Sequence, residues 1–264
     1  MATKIIEFKK PKLRKPIFIE GLPGVGNVGR IAAGYLIEEL KAVKFAELIS
    51  SHFMPFVMIP QGSTVHMLKN EFYYWKAKNK KQRDLIILIG DSQSTTPEGH
   101  YEIVEEILKY IKKLGVKEII TLAGLSIGMP VDKPKVIGAV NKDGLEKKYK
   151  KYGILFDSSK RIGTIVGAAG LFLGLSVYHK MDALCLLGET SGMPLIPDPK
   201  SSEAILKVLS KILNLRIDTS RLQAKVKEMK DFMKKVEDMQ KKMYQQMAMP
   251  KGRISSKDKL TYIG

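Results

Sequence analysis

Ile17-Phe18-Ile19-Glu20-Gly21-Leu22-Pro23-Gly24-Val25-Gly26-Asn27-Val28-Gly29 is the stretch on which the fold turns. A short apolar run feeds a glycine-dense turn, and Ile31-Ala32-Ala33-Gly34-Tyr35-Leu36-Ile37 continues with helical character. Strand, tight turn and helix in that order open an α/β unit. Gly24, Gly26 and Gly29 also satisfy G-x-G-x-x-G, the pattern that brings backbone close to a pyrophosphate. The context argues against a dinucleotide. Glu20 and Pro23 crowd the turn before Gly24, whereas the nucleotide-binding turn follows its strand directly. Glu47, 18 positions beyond Gly29, is the acidic residue available for a ribose. A P-loop is excluded because no Gly-Lys-Ser/Thr follows the glycines. The helix opening after the loop still offers N–H groups to an anion.

Outward from that stretch, strands alternate with helices. Val43–Ile49 and Phe56–Ile59 read as strands, and 63–67 with 71–76 as a small antiparallel pair. Asp84-Leu85-Ile86-Ile87-Leu88-Ile89-Gly90 is apolar on both faces and reads as a central strand. Its exit leads to Pro97, well placed in the first turn of a helix carrying Ile103, Ile107, Leu108 and Ile111 on one face. Further strands are expected at 116–123, 136–139 and 183–187, and helices at 143–151, 167–178 and 200–214. The pattern predicts a three-layer α/β domain with a mainly parallel sheet. Its strand exits, where ligands of open α/β sheets gather, are 21–29, 91–98, 124–130 and 188–194. The last two repeat a theme, Gly-Leu-Ser-Ile-Gly-Met-Pro against Thr-Ser-Gly-Met-Pro, as cleft lining or as tight edge turns.

With 264 residues the chain can bury a large core as one main domain with an appendage. Its formal charge of +18, from 45 Lys+Arg against 27 Asp+Glu, attracts it to acidic surfaces. Without aromatics interleaved among arginines, nucleic acid is not the expected partner. A single cysteine, Cys185, rules out an intrachain disulfide and a multi-cysteine zinc site. No signal-peptide order and no uninterrupted apolar run of membrane-spanning length is present, so a cytoplasmic, membrane-free protein is expected.

Catalytic signals are thin. His52, His66, His100 and His179 are far apart and lack metal-ligand spacing. Gly124-Leu125-Ser126-Ile127-Gly128 matches G-x-S-x-G after a strand, but Met129-Pro130 follows where a nucleophile elbow needs a helix. Asp91 and Glu98 lie near one strand exit, where turn and helix N-terminal roles suit them. No catalytic residue, cofactor or metal is assigned. The alternative is a nucleotide-binding or hydrolytic enzyme using the exits at 21–29, 91–98 and 124–130.

The sharpest local pattern is C-terminal. Leu222, Val226, Met229, Met233, Val236, Gln240, Met243 and Met247 are spaced 4, 3, 4, 3, 4, 3, 4, a heptad stripe interrupted by Gln240. Such a helix packs on its own domain or on copies of itself, and Leu222, Val226, Met229, Met233, Val236 and Met243 form the expected oligomerisation seam. Residues 248–264 are a polar, basic tail ending Leu260-Thr261-Tyr262-Ile263-Gly264. An apolar and aromatic tip on such an arm suits docking into a pocket through Leu260, Tyr262, Ile263 and the Gly264 carboxylate. The expected organisation is an α/β domain at 1–216, a packing helix at 217–247 and the tail at 248–264.

Glu-Gly-Leu-Pro-Gly-Val-Gly-Asn-Val-Gly at 20–29, the Leu88-Ile89-Gly90-Asp91 exit, Gly124–Pro130 and Gly188–Pro194 together resemble the archaeal PAC2 family, relatives of proteasome assembly chaperone 2 once labelled ATP-grasp-like. The resemblance covers roughly 15–214, and the extension from 218 is similar to the C-terminal arm of some members. It implies a purine nucleoside phosphorylase-like fold without established catalysis, homo-oligomers, and binding to 20S proteasome α subunits or a related PAC2-like subunit. In the family the docking ending is hydrophobic–tyrosine–any residue. Here Tyr262 is third from last, Ile263 takes the penultimate place, and Thr261 stands at the hydrophobic position.

Overall fold

The computed structural model describes residues 3–59, 63–156, 163–192, 196–222 and 224. The main elements among the described residues are, in order, β1 (Lys4–Glu7), β2 (Ile17–Gly21), α1 (Val28–Leu40), β3 (Val43–Ile49), β4 (Val57–Met58), β5 (His66–Met67), β6 (Asn70–Trp75), β7 (Leu85–Gly90), α2 (Pro97–Lys113), β8 (Glu118–Ser126), β9 (Val136–Val140), α3 (Glu146–Tyr149), α4 (Ala168–Ser176), β10 (Asp182–Thr190) and α5 (Pro199–Leu213). Eight strands form one sheet in the order β1-β3-β6-β7-β2-β8-β10-β9, and β4 pairs with β5 in a separate ribbon.

The centre, β7-β2-β8-β10, is parallel. Both margins are antiparallel: β7 to β6, β6 to β3 and β3 to β1 on one side, β10 to β9 on the other. The sheet is therefore mixed, with its parallel order confined to the middle. β2 and β7 are buried at every position, as strands covered on both faces must be. Ile17, Ile19, Ile87, Ile120 and Leu186 join the core beneath α1 and α5. Phe18, Ile86, Leu88, Ile119 and Cys185 join the opposite core beneath α2 and α4.

Local chemistry sets the helix starts. Thr96 caps α2, its hydroxyl accepting the Gly99 N–H at 3.1 Å, with Pro97 in the first turn. Asp198 caps α5 in the same way, accepting the Ser201 N–H at 3.0 Å ahead of Pro199.

Two expectations change, and one strand is added. Residues 70–75 do not pair with 63–67; they enter the main sheet between β3 and β7, while β5 pairs with β4. Burial decides this, because Phe72 packs edge-on against Phe45 and Tyr110 at centroid distances of 6.1 and 5.3 Å. The added strand is β1, at the edge of the sheet ahead of β2, whose two isoleucines are bracketed by Lys4 and Glu7. Charged ends suit an edge that must not recruit another strand. The helix expected over 143–151 shortens to α3, followed by a 3-10 turn at Lys150–Tyr152.

Candidate interaction face at the carboxyl end of the sheet

The strand exits singled out in the sequence meet at one end of the sheet. Gly124 lies so close to the turn that a Cβ there would sit 2.2 Å from the Val25 carbonyl oxygen. A Cβ on Gly26, which has φ of 60°, would be 2.9 Å from Thr190 Oγ1, and one on Gly29 would be 2.0 Å from the Leu122 carbonyl oxygen. Ser126 abuts Gly192 in turn, and the Ile127 N–H donates to the Thr190 carbonyl at 3.0 Å. Gly26 and Gly29 are thus in contact with β10 and β8, the close approach that only a missing Cβ permits.

Polar side chains pin the same loops. Gln93 donates to the Pro23 carbonyl at 2.5 Å and accepts the Ala168 N–H, at the start of α4, at 2.9 Å. The Asp198 N–H donates to the Gly26 carbonyl at 2.7 Å. The starts of α2, α4 and α5 therefore each have an N–H bonded to a side chain of the protein itself.

Beneath the loop, Glu20 is a carboxyl in the middle of the sheet, paired in register with Thr121. Burial raises its pKa from 4.5 to about 7, and N–H groups of Leu22 and Leu122 offset part of that rise. Cys185 is fully buried, and burial pushes its thiol up to about 12, as an inert strand cysteine requires.

The candidate catalytic and cofactor residues take structural roles. Glu47 is on β3, separated from β2 by β6 and β7, and it pairs with Lys44 and, at 2.6 Å, Lys69. It is nowhere near the glycine turn. Asp91 accepts from His66 Nε2 at 2.7 Å and from the Lys69 N–H at 3.2 Å, while Glu98 is exposed in the first turn of α2. Ser126 leads through a loop to β9 and not into a helix, so the nucleophile-elbow context is missing. His52 and His179 bond to Glu102 and Glu105 on α2 at 3.1 and 3.0 Å. Among the described residues no three His, Cys, Asp or Glu side chains converge on a metal-sized site, and no helix is long and apolar enough to cross a membrane.

The same end of the sheet carries a feature that sequence reasoning passed over. Val25, Ile127, Met129 and Val166 are exposed around the closed loops, and Met54, Phe56, Val57, Met58, Ile59, Val65 and Met67 are exposed on and beside the β4–β5 ribbon. The ribbon leaves β3 and returns into β6. Beside it lies a groove of about 540 Å³ walled by Phe53, Met54, Phe56, Val57 and Met67. The signal was present as a run without charge, Leu48 to Leu68, in a chain that is 27% charged.

Of the C-terminal residues expected to mediate contacts, Leu222 is described. It is 2% exposed and belongs to the core beneath α1 and α5. Tyr35 donates to the Asp218 carbonyl at 2.5 Å and Arg221 pairs with Glu39 at 2.8 Å, tying 218–222 to α1. Val226, Met229, Met233, Val236 and Met243, and the tail positions Leu260, Tyr262, Ile263 and Gly264, lie outside the described residues.

Residues 18–237 match the PAC2 family. The chain belongs to that family. An uncharacterised protein of Methanocaldococcus jannaschii is 34% identical over 252 residues, spanning 96% of this chain and 93% of its own. Among PAC2-type structures, Pyrococcus furiosus PbaB, described as an archaeal proteasome activator, superposes with a TM-score of 0.83 at 42% identity, over 89% of this chain and 99% of its own. Pyrococcus furiosus PbaA, described as an archaeal homologue of proteasome-assembly chaperone, gives a TM-score of 0.72 at 28% identity, over 92% of this chain and 100% of its own.

Proposed function

We propose that the protein is a homo-oligomeric chaperone or adaptor of proteasome assembly that presents its C-terminal tails to a partner complex. The observation that carries this reading is the likeness to the proteasome activator PbaB, at 42% identity over 89% of this chain. The α/β body acts as a scaffold of purine nucleoside phosphorylase-like type, the helix at 217–247 as an assembly or presentation seam, and 248–264 as the docking segment. Binding is stoichiometric. Several weak tails on one oligomer engage together, and effective concentration multiplies their affinity. Leu260, Tyr262 and Ile263 fill apolar pockets, and the Gly264 carboxylate pairs with a lysine between α subunits of a 20S particle.

Deleting 248–264 tests this. The deleted chain is expected to keep the native mass of the full chain and to lose capture of archaeal 20S particles. Full-strength capture by the deleted chain would remove the docking role. Calorimetric titration with ATP, NAD and FAD is expected to be silent. A saturable heat abolished by Gly26→Trp would transfer the reading to a nucleotide-binding protein, against the close packing of that loop.

A further inference from the structure

The β4–β5 ribbon is a surface the fold itself leaves uncovered. Val57 pairs with Met67 and Met58 with His66. Side chains alternate across a strand, so continuing this register places Val57, Ile59, Val65 and Met67 together on one face. Those four are 48%, 63%, 59% and 56% exposed. The alternate face carries His66, which bonds to Asp91 and ties the ribbon to the exit of β7. The outward face is therefore continuous and apolar, and Met54 and Phe56 line the groove beside it.

We infer that this face packs against the same ribbon of a second copy, forming a two-fold contact. Charge singles out that occupant. Copies of a +18 chain repel one another wherever their lysines approach. From Leu48 to Leu68 there is no Lys, Arg, Asp or Glu, so two copies meet here without opposing like charges. An acidic partner would find no cation on this face to pair with. Area points the same way. Six apolar side chains, Met54, Phe56, Val57, Ile59, Val65 and Met67, are each 48% to 63% exposed on this surface, and a two-fold contact covers both copies of that set at once. Methionines at 54 and 67 let the two faces adjust to each other. A contact of one patch with itself closes on two copies.

The inference rests on the self-association proposed above and adds to it a second contact, distinct from the seam at 217–247. Native mass of the full chain is measured for the wild type, Val65→Glu, Val65→Lys and an equimolar mixture of the two variants. Each variant alone is expected to fall to at most half the wild-type mass, and the mixture to regain the larger species, because opposite charges then share the contact. Recovery on mixing also shows that neither variant is unfolded. The Val57→Glu and Val57→Lys pair repeats the test on the facing strand. An oligomeric wild type whose variants all keep full mass overturns the ribbon contact and leaves the proposed function standing; if those variants lose 20S capture instead, the face belongs to a different partner. Folded variants that dissociate at both positions but do not recover on mixing overturn direct ribbon-to-ribbon packing. A wild type that is monomeric at every concentration overturns both the contact and the oligomer on which it rests.

Discussion

The loop at 21–29 and the β4–β5 ribbon emerge at the same end of the sheet and use small and apolar residues in opposite ways. In the loop, glycines let backbone touch backbone, and Gly29 meets β8 with no room for one carbon. In the ribbon, side chains alternate as in a covered strand, yet Ile59 and Val65 remain more than half exposed. The loop's composition is accounted for by contacts inside the monomer. The ribbon's outward face has no such account among the described residues, and large exposed apolar patches in soluble proteins mark contacts with something else. A glycine fingerprint therefore pointed to the part of this end that is closed, and an inconspicuous run of uncharged residues to the part that is open.

The largest effect is expected where the loop is closed. Gly29→Ala would put its Cβ 2.0 Å from the Leu122 carbonyl oxygen, a backbone atom that cannot swing aside. Forced shifts of helix against sheet cost roughly 3 kcal/mol. Gly34→Ala, in the same helix, meets only the end of the Arg30 side chain and is expected to match wild type or exceed it by up to about 1 kcal/mol, because alanine is the better helix former. Urea midpoints of the pair check this. Equal midpoints would mean that α1 has slack against β8 and that the loop is not closed.

Glu20 sharpens the same side of the comparison. Its folded pKa of about 7 stands above the ordinary 4.5. The folded chain then binds a proton that the unfolded chain releases between those values. The stabilising contribution is fully present below about 4.5 and is lost as pH rises through about 7, with a difference of roughly 3 kcal/mol. Glu20→Gln keeps the shape and cannot ionise. At pH 8 it is expected to be more stable than wild type, with the advantage vanishing near pH 4.5, as read by urea unfolding at each pH. An advantage independent of pH would show that the gain is unrelated to ionisation.

How much of this was legible in sequence differs between the two regions. The strand at 17–21 and the helix after it were readable because an apolar run and a turn rich in glycine are local signals. The four exits converged as the parallel centre requires. The placement of 70–75 was not readable, because alternation makes a strand but does not name its neighbour; Phe72 settles that through rings on β3 and α2. β1 was masked by the charges around it, since an edge strand needs little inward apolar surface, here Ile5 against the core beneath α2 and α4. The ribbon's sequence predicts strand, but burial is a property of the assembled fold, and nothing in Val57, Ile59, Val65 or Met67 tells a covered strand from a bare one. The same holds for Leu222, which heptad spacing places on a seam and the fold places in the core beneath α1 and α5.

The smallest effect is expected on the ribbon, and its size is what separates the two regions. Val65→Ser removes an apolar side chain that is 59% exposed. In a dilute, dissociated chain it should change stability by no more than about 0.5 kcal/mol, as for other surface substitutions. Raising the protein concentration alters the comparison. A contact formed by folded copies alone stabilises the wild type by mass action, so its unfolding midpoint should climb with concentration, while that of Val65→Ser climbs less. Melting curves over a hundredfold range of concentration measure both slopes. Parallel slopes would mean that Val65 takes no part in any contact between copies. A large loss already present at high dilution would mean that its side chain is held within the monomer, and the ribbon would then be a second closed region like the loop.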